Sequence, residues 1–191
     1  MHRRIFLLFA LLISTIAAIA QTGQFKDTKD EKMQKRAIEK RIEAIQDSIR
    51  SAEAFSALKQ LDFVLEANRL SFNGRANAYV TSNTNFILLN GDRASVQIAF
   101  NGAFAGPNGI GGVTVDGTVG EVKTTTDKKG NVTCNFSVTG VGISAQVSIR
   151  LTRGRNNVSA TVNPNFNSNR LTLDGKLVPL SESNIFKGRS F

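Results

Sequence analysis

Strict alternation of apolar and polar residues after Gln60 limits what this chain can fold into. The longest example covers residues 143–152, where every second residue is apolar. The apolar members are Ile143, Ala145, Val147, Ile149 and Leu151. A period of two places successive side chains on opposite faces of an extended strand. The segment therefore predicts a strand with one buried face and one solvated face, as in an antiparallel sheet.

The same alternation recurs along the chain and predicts a mainly β fold. We predict strands near residues 62–70, 76–81, 84–89, 92–100, 113–126, 131–139, 143–152, 156–163 and 169–178. In one of them the apolar Val96, Ile98 and Phe100 alternate with Ser95, Gln97 and Ala99, which are expected to meet solvent.

Short turns between these strands favour an antiparallel up-and-down meander of about eight strands. The clearest turn signal is Asn90-Gly91, and another is Asp127 to Asn131. Closure into a lipocalin-like barrel would remove the exposed edges of such a meander. An open sheet folded over a preceding helix is the alternative.

A charged helical segment is expected at residues 21–60, before a β-barrel-like domain at 61–180 and a C-terminal tail at 181–191. From Asp27 to Gln60 the chain has no glycine or proline. An apolar stripe recurs at helical spacing, formed by Ile38, Ile42, Ile45, Ile49 and Ala52. Two heptads are too few to predict a coiled coil. We expect the α-helix to pack on the following domain or to act as a spacer from a membrane.

The first twenty residues have the pattern of a secretory signal peptide. The positive head His2-Arg3-Arg4 precedes an apolar run that ends in the small-x-small pattern Ala18-Ile19-Ala20. We predict signal cleavage between Ala20 and Gln21. The mature protein is then exported, periplasmic or extracellular, with no transmembrane span. A retained membrane anchor is the alternative.

The composition of the predicted mature chain argues against several kinds of catalysis and metal binding. The only histidine is His2, which leaves with the signal, so the side chain most used for proton transfer and metal binding is missing. Cys134 is the only cysteine, and its place among apolar positions predicts a buried, inert thiol. We expect no catalytic residue, metal or cofactor. The net charge of +9 comes without interleaved basic and aromatic residues, so nucleic acid is not expected as a partner.

Three segments carry a resemblance to a known family. The strand Phe63–Ala67, the hairpin Asn85–Phe100 and the glycine-rich stretch Phe100–Pro107 resemble the DUF4251 family of secreted or envelope proteins of Bacteroidetes. The resemblance extends over roughly residues 50–180. It implies a lipocalin-like β-barrel and a location in the bacterial envelope, and it supplies no function.

The longest irregular segment, residues 101–112, is the best candidate for a binding loop. No lysine follows its glycines and a strand comes next, which does not fit a phosphate-binding loop. Long loops beside a rigid barrel often carry binding residues. We predict that Phe100, Phe104 and Ile110 contact a small apolar ligand, with Phe104 and Ile110 covering a cavity. The alternative is that Phe104 packs into the core.

Charged residues give weaker signals. Paired carboxylates can hydrolyse glycosides without histidine, but the spacing of the acidic residues selects no pair. These are Asp62, Glu66, Asp92, Asp116 and Asp174. A cluster of Arg150, Arg153 and Arg155, with Arg170 as a further member, can bind a carboxylate or sulfate, or can protect a strand edge.

These observations favour a non-enzymatic exported protein that binds a small apolar ligand inside its barrel. The alternative is a structural or protein-interaction component of the cell envelope. A barrel of about eight strands can hold one small ligand. A cavity of a few hundred Å³ inside the barrel would favour the first function, and an interior filled by side chains would favour the second.

Overall fold

A computed structural model describes residues 29–74, 76–99, 112–141, 143–165 and 170–188 of the chain. The predicted signal peptide and its cleavage site, Ala20 and Gln21, lie outside these residues. So do Phe100, Phe104 and Ile110. The chain divides into two units within its long helix, between Ile42 and Glu43. The second unit contains the end of the helix and all of the β-structure.

One α-helix precedes ten strands in the described residues. The helix is α1 (Lys29–Gln60), and the first strands are β1 (Asp62–Phe72), β2 (Ala76–Tyr79), β3 (Phe86–Asn90), β4 (Arg93–Ala99) and β5 (Gly112–Val119). The remaining strands are β6 (Lys123–Thr126), β7 (Val132–Gly140), β8 (Ile143–Leu151), β9 (Asn157–Pro164) and β10 (Leu171–Pro179). A short 3₁₀ helix, Leu180–Glu182, follows β10.

Eight of these strands form a closed antiparallel barrel. Their order around the barrel is β1, β3, β4, β5, β7, β8, β9 and β10, and β10 pairs with β1 to close it. Every pairing is antiparallel, and the β1–β10 register extends from Phe63↔Pro179 to Phe72↔Leu171. Closure confirms the predicted barrel and contradicts the open-sheet alternative.

Two positions in the barrel wall are occupied by interrupted strands. Both β2 and β3 pair with β1, at opposite ends of that strand. In the same way β5 and β6 both pair with β7. The single strand predicted over residues 113–126 is therefore wrong in one respect, because its pairing breaks between Val119 and Lys123.

The predicted inward faces form the hydrophobic core. Val147 and Ile149 on β8 are buried, as are Phe136 and Val138 on β7. At the end of the barrel where α1 joins β1, the helix contributes Ala54, Ala57 and Leu58 to this core. Burial of the whole inner face explains why the alternation is so regular, since a shift by one residue would expose it to solvent.

The isoleucine stripe of α1 is not part of this core. Ile38, Ile42, Ile45 and Ile49 are 57%, 50%, 60% and 49% exposed. Only the last turns of the helix carry buried side chains. Ile45 and Ile49 belong to the same unit as the barrel and are exposed, so the prediction that the stripe packs on the following domain is wrong for these two residues.

The outer face of β1, β3 and β4 is buried too, because the C-terminal segment (Leu180–Gly188) covers it. Phe186 N donates a hydrogen bond to Asn83 O at 2.7 Å, and Ser183 Oγ donates one to Glu66 Oε1 at 2.6 Å. Beneath this segment Val64, Phe86 and Gln97 are completely buried. The prediction that Ser95, Gln97 and Ala99 meet solvent is wrong, since all three are buried.

Candidate functional site

An apolar cavity lies at the barrel end opposite the helix junction. Its volume is about 140 Å³. It is lined by Val96, Ile98, Val113, Val115, Val138, Ala145, Val147, Val162, Pro164 and Leu171. All ten lining residues are apolar, so the cavity offers burial to a ligand and no side-chain hydrogen bonds.

The pairing of β5 explains why the cavity lies at this end. The register between β5 and β7 covers only Gly117↔Gly140 to Val119↔Val138. The first half of β5 therefore extends beyond the end of β7, and Val113 and Val115 lie on that extension. Val113 remains 42% exposed, so it forms part of the rim of the cavity.

The cavity is smaller than the few hundred Å³ expected for a barrel that encloses a whole ligand. Large buried side chains, among them Phe63, Leu65, Phe136 and Ile149, fill the rest of the interior. A dry apolar cavity of about 150 Å³ is sufficient for benzene. By the criterion set from the sequence, the filled interior argues against a ligand held wholly inside the barrel, and the remaining space fits one small apolar group.

Comparison with known proteins identifies the family. The family model named DUF4251, a domain of unknown function, matches residues 45–177, which include most of the barrel. This chain belongs to the DUF4251 family. The family description assigns no enzymatic activity.

A solved structure from the same family has the same fold. The crystal structure of a DUF4251 family protein from Bacteroides eggerthii shares 57% sequence identity with this chain, with a TM-score of 0.65. The match covers 78% of this chain and 99% of the other. Among curated proteins, no match was found. In the described part of this DUF4251 protein, no helix is both long and apolar enough to span a membrane.

The predicted ligand contacts of this DUF4251 protein remain a prediction, since Phe100, Phe104 and Ile110 lie outside the described residues. Their flanking strands, however, end at the cavity. Ile98 near the end of β4 and Val113 near the start of β5 both line it, and the two are paired in register. The lining valines were visible in the sequence as inward-facing positions. Nothing in their alternation distinguishes a residue beside a cavity from one in a filled core.

Cys134 is buried in the core, as the sequence predicts. Burial raises the pKa of its thiol, which disfavours the reactive thiolate. This environment suits a structural role.

Two of the acidic residues singled out in the sequence, Asp174 and Asp116, interact with separate partners. Asp174 Oδ2 accepts a hydrogen bond from Arg69 Nη2 at 2.9 Å. Asp116 lies 2.7 Å from Lys187 Nζ of the C-terminal segment and also accepts a hydrogen bond from Ser95. In the described chain, no group of three or more histidine, cysteine or acidic side chains is placed to hold a metal ion.

The predicted arginine cluster does not form one site. Arg150 Nη2 donates to Asp127 Oδ2 at 2.8 Å, whereas Arg155 lies 3.9 Å from Asp47 of α1. Arg170 donates to Asn163 Oδ1 at 3.2 Å. Asp127 accepts bonds from the backbone and side chain of Asn131, and these bonds, with a smaller effect of Arg150, lower its pKa to about 2.

Proposed function

We propose that this DUF4251 protein is an exported, non-enzymatic binding protein whose barrel takes up a small apolar group at the end opposite the helix junction. The observation that carries the proposal is the cavity of about 140 Å³ with an entirely apolar lining. The rim of this cavity adjoins the strand ends that flank the predicted binding loop, which supports a ligand larger than the group that enters the barrel.

The size of the cavity sets an upper limit on affinity. Burial of one CH₂ group contributes about 0.8 kcal/mol, so a six-carbon group gains about 5 kcal/mol. Association costs at least about 4 kcal/mol in lost freedom of movement. The net gain is then at most about 1 kcal/mol, so binding through the cavity alone is very weak, with a Kd of about 0.1 M or higher. A tighter ligand must also contact the rim.

Two features of the sequence support the remaining parts of the proposal. The pattern of residues 1–20 supports export. The absence of histidine from residues 21–191 and the burial of Cys134 both support a non-enzymatic role.

Methyl NMR with toluene as the probe tests this function. We expect shifts confined to the methyl groups of residues lining the cavity, such as Val96, Val115 and Val147. The variant Ala145→Phe fills the cavity and should abolish them. Gln146→Phe adds the same ring on the outer face of the same strand and should leave binding unchanged.

If Ala145→Phe does not fold, Val113→Phe at the half-exposed rim serves in its place. Shifts of these methyl groups that persist in both cavity-filling variants would contradict the proposal. So would a wild type whose lining methyl groups do not shift in toluene-saturated buffer, where fast exchange makes even a small bound fraction visible.

The isoleucine stripe of α1 favours a second candidate function, protein interaction. Its residues Ile38, Ile42, Ile45 and Ile49 recur at spacings of four, three and four. This stripe is too short for a coiled coil, but it can be buried against the same stripe of a second copy of the helix. Burial of a whole isoleucine contributes about 1.5–3 kcal/mol, so burying the exposed half contributes about 1 kcal/mol. A dimer buries four isoleucines from each copy, eight in all, which gives about 8 kcal/mol. Because the cost of association is of similar size, the dimer is expected to be weak.

Sedimentation equilibrium distinguishes this second candidate. The full-length chain should show a concentration-dependent dimer that Ile45→Glu abolishes and that Gln46→Glu, at the next position, retains. A monomer at millimolar concentration would exclude self-association through α1.

A further inference from the structure

A polar groove lies on the outer face of the barrel, away from the apolar cavity. It has a volume of about 520 Å³ and crosses strands β8, β9, β10, β1 and β2. Its main side chains are Arg69, Tyr79, Arg150, Ser159, Asp174 and Lys176. We propose that this polar groove binds an acidic oligosaccharide, a glycan that carries carboxylate or sulfate groups.

Strand register places the residues of the groove in a row. Arg150 pairs with Ser159, Ser159 with Asp174, Asp174 with Arg69, and Arg69 with Tyr79. Neighbouring strands are about 4.8 Å apart, so this row of five residues is about 19 Å long. That length suits an extended chain of several sugar units better than a single ion.

The cations of the groove are held in place and keep donors for a ligand. Arg69 uses Nε and Nη2 on a single oxygen of Asp174, at 3.1 and 2.9 Å. Arg150 uses Nη2 on Asp127. Lys176 Nζ donates to Asn157 Oδ1 at 2.5 Å. Each of these three side chains has more N–H donors than these bonds use, so donors remain for a ligand. Guanidinium groups bind carboxylate and sulfate in a bidentate manner.

The charge balance favours an anion over a neutral ligand. Three cations, Arg69, Arg150 and Lys176, lie near two carboxylates, Asp174 and Asp127. One positive charge is therefore left over. Because both ion pairs are partly exposed to solvent, each contributes only about 0–1 kcal/mol, so a ligand anion can compete for either arginine at little cost.

Tyr79 favours a sugar over an inorganic anion. It is 87% exposed and stands at one end of the row. An aromatic ring offers an apolar face, against which the C–H face of a sugar ring can pack, and a polar hydroxyl. Ser159, in the middle of the row, can exchange hydrogen bonds with sugar hydroxyls. A protein partner would instead require an apolar centre to the interface, which this groove does not offer among its described residues.

Isothermal titration calorimetry at 0.15 M salt tests this inference. The probes are polygalacturonate, heparin and dextran fragments of equal length, which carry carboxylate, sulfate and no charge. We expect at least one acidic fragment to bind and dextran not to bind. The two acidic probes identify which anionic group is recognised.

Three variants locate the site. Tyr79→Ala and Arg150→Gln should each weaken binding at least tenfold, with unchanged thermal stability for Tyr79→Ala because its side chain is exposed. Arg155→Gln removes the same charge outside the groove and should change the Kd less than twofold. Equal losses for Arg150→Gln and Arg155→Gln, an unaffected Tyr79→Ala, or no binding of either acidic fragment would overturn the proposal.

Discussion

Gln97 holds the C-terminal segment on the barrel, and the substitution Gln97→Met tests this role. The side chain is completely buried and makes four hydrogen bonds. Its Nε2 donates to Thr84 O at 3.0 Å and to Phe186 O at 2.8 Å. Its Oε1 accepts from Thr114 Oγ1 at 2.8 Å and from Gly188 N at 2.7 Å. Two of the four partners therefore belong to the C-terminal segment.

The size of the effect follows from these bonds. Methionine has a similar volume and packs in the same space, but it has neither the donors nor the carbonyl oxygen. A buried hydrogen bond contributes about 1 kcal/mol net, so four give about 4 kcal/mol. Phe186 is largely exposed, so water can reach its carbonyl once the segment loosens. We expect Gln97→Met to lower the free energy of unfolding by about 2–4 kcal/mol.

Urea denaturation of four proteins measures this effect. They are the wild type, Gln97→Met, a deletion of residues 183–191, and the combination. Because the substitution and the deletion remove some of the same bonds, their effects should be less than additive. Gln146→Met, at an exposed position on β8, is the control and should change stability by less than about 0.5 kcal/mol. A loss below about 1 kcal/mol for Gln97→Met, or strict additivity with the deletion, would refute the reasoning.

Two further predictions concern Asp127 and Cys134. The pKa of Asp127 is about 2 in the folded protein and about 3.9 in an unfolded chain. Ionised Asp127 therefore stabilises the fold above about pH 4, and this stabilisation is lost as the pH falls towards 2. Asp127→Asn should therefore be less stable than the wild type at pH 7, and the difference should shrink between pH 4 and pH 2; a constant difference in thermal melts would contradict it. The buried thiol of Cys134 should react with a thiol reagent only as fast as the protein opens. The control is Asn135→Cys in a Cys134→Ser background, whose exposed thiol should react at once. Similar reaction rates for the two thiols would exclude burial of Cys134.

The alternation of apolar and polar residues predicted the strands closely because each strand buries one face. The apolar inner residues of β7 and β8 are stable only when they are buried in the barrel core. The turn between β3 and β4 is formed by Gly91 and Asp92, one residue later than the Asn90-Gly91 signal indicated. The positive φ of Gly91, 59°, explains why glycine suits this position.

Where a second element covers the outer face, alternation gave the wrong environment. Gln97 occupies a polar position of β4 and would be solvated on a bare barrel. It is buried because a segment almost ninety residues later crosses that face and supplies hydrogen-bond partners. A pattern of neighbouring residues cannot predict a contact between residues so far apart in the sequence.

The sequence by itself determined the helix, the strands and their inward faces, because these depend on spacing between near neighbours. Only the tertiary structure decided that β10 pairs with β1, that the isoleucines of α1 remain exposed, and that one barrel end keeps an apolar cavity while the rest is filled. The polar groove also belongs to this second group, since its row joins residues as far apart as Arg69 and Arg150. Which side chains meet across strands depends on register and closure, and these are set by packing of the whole chain.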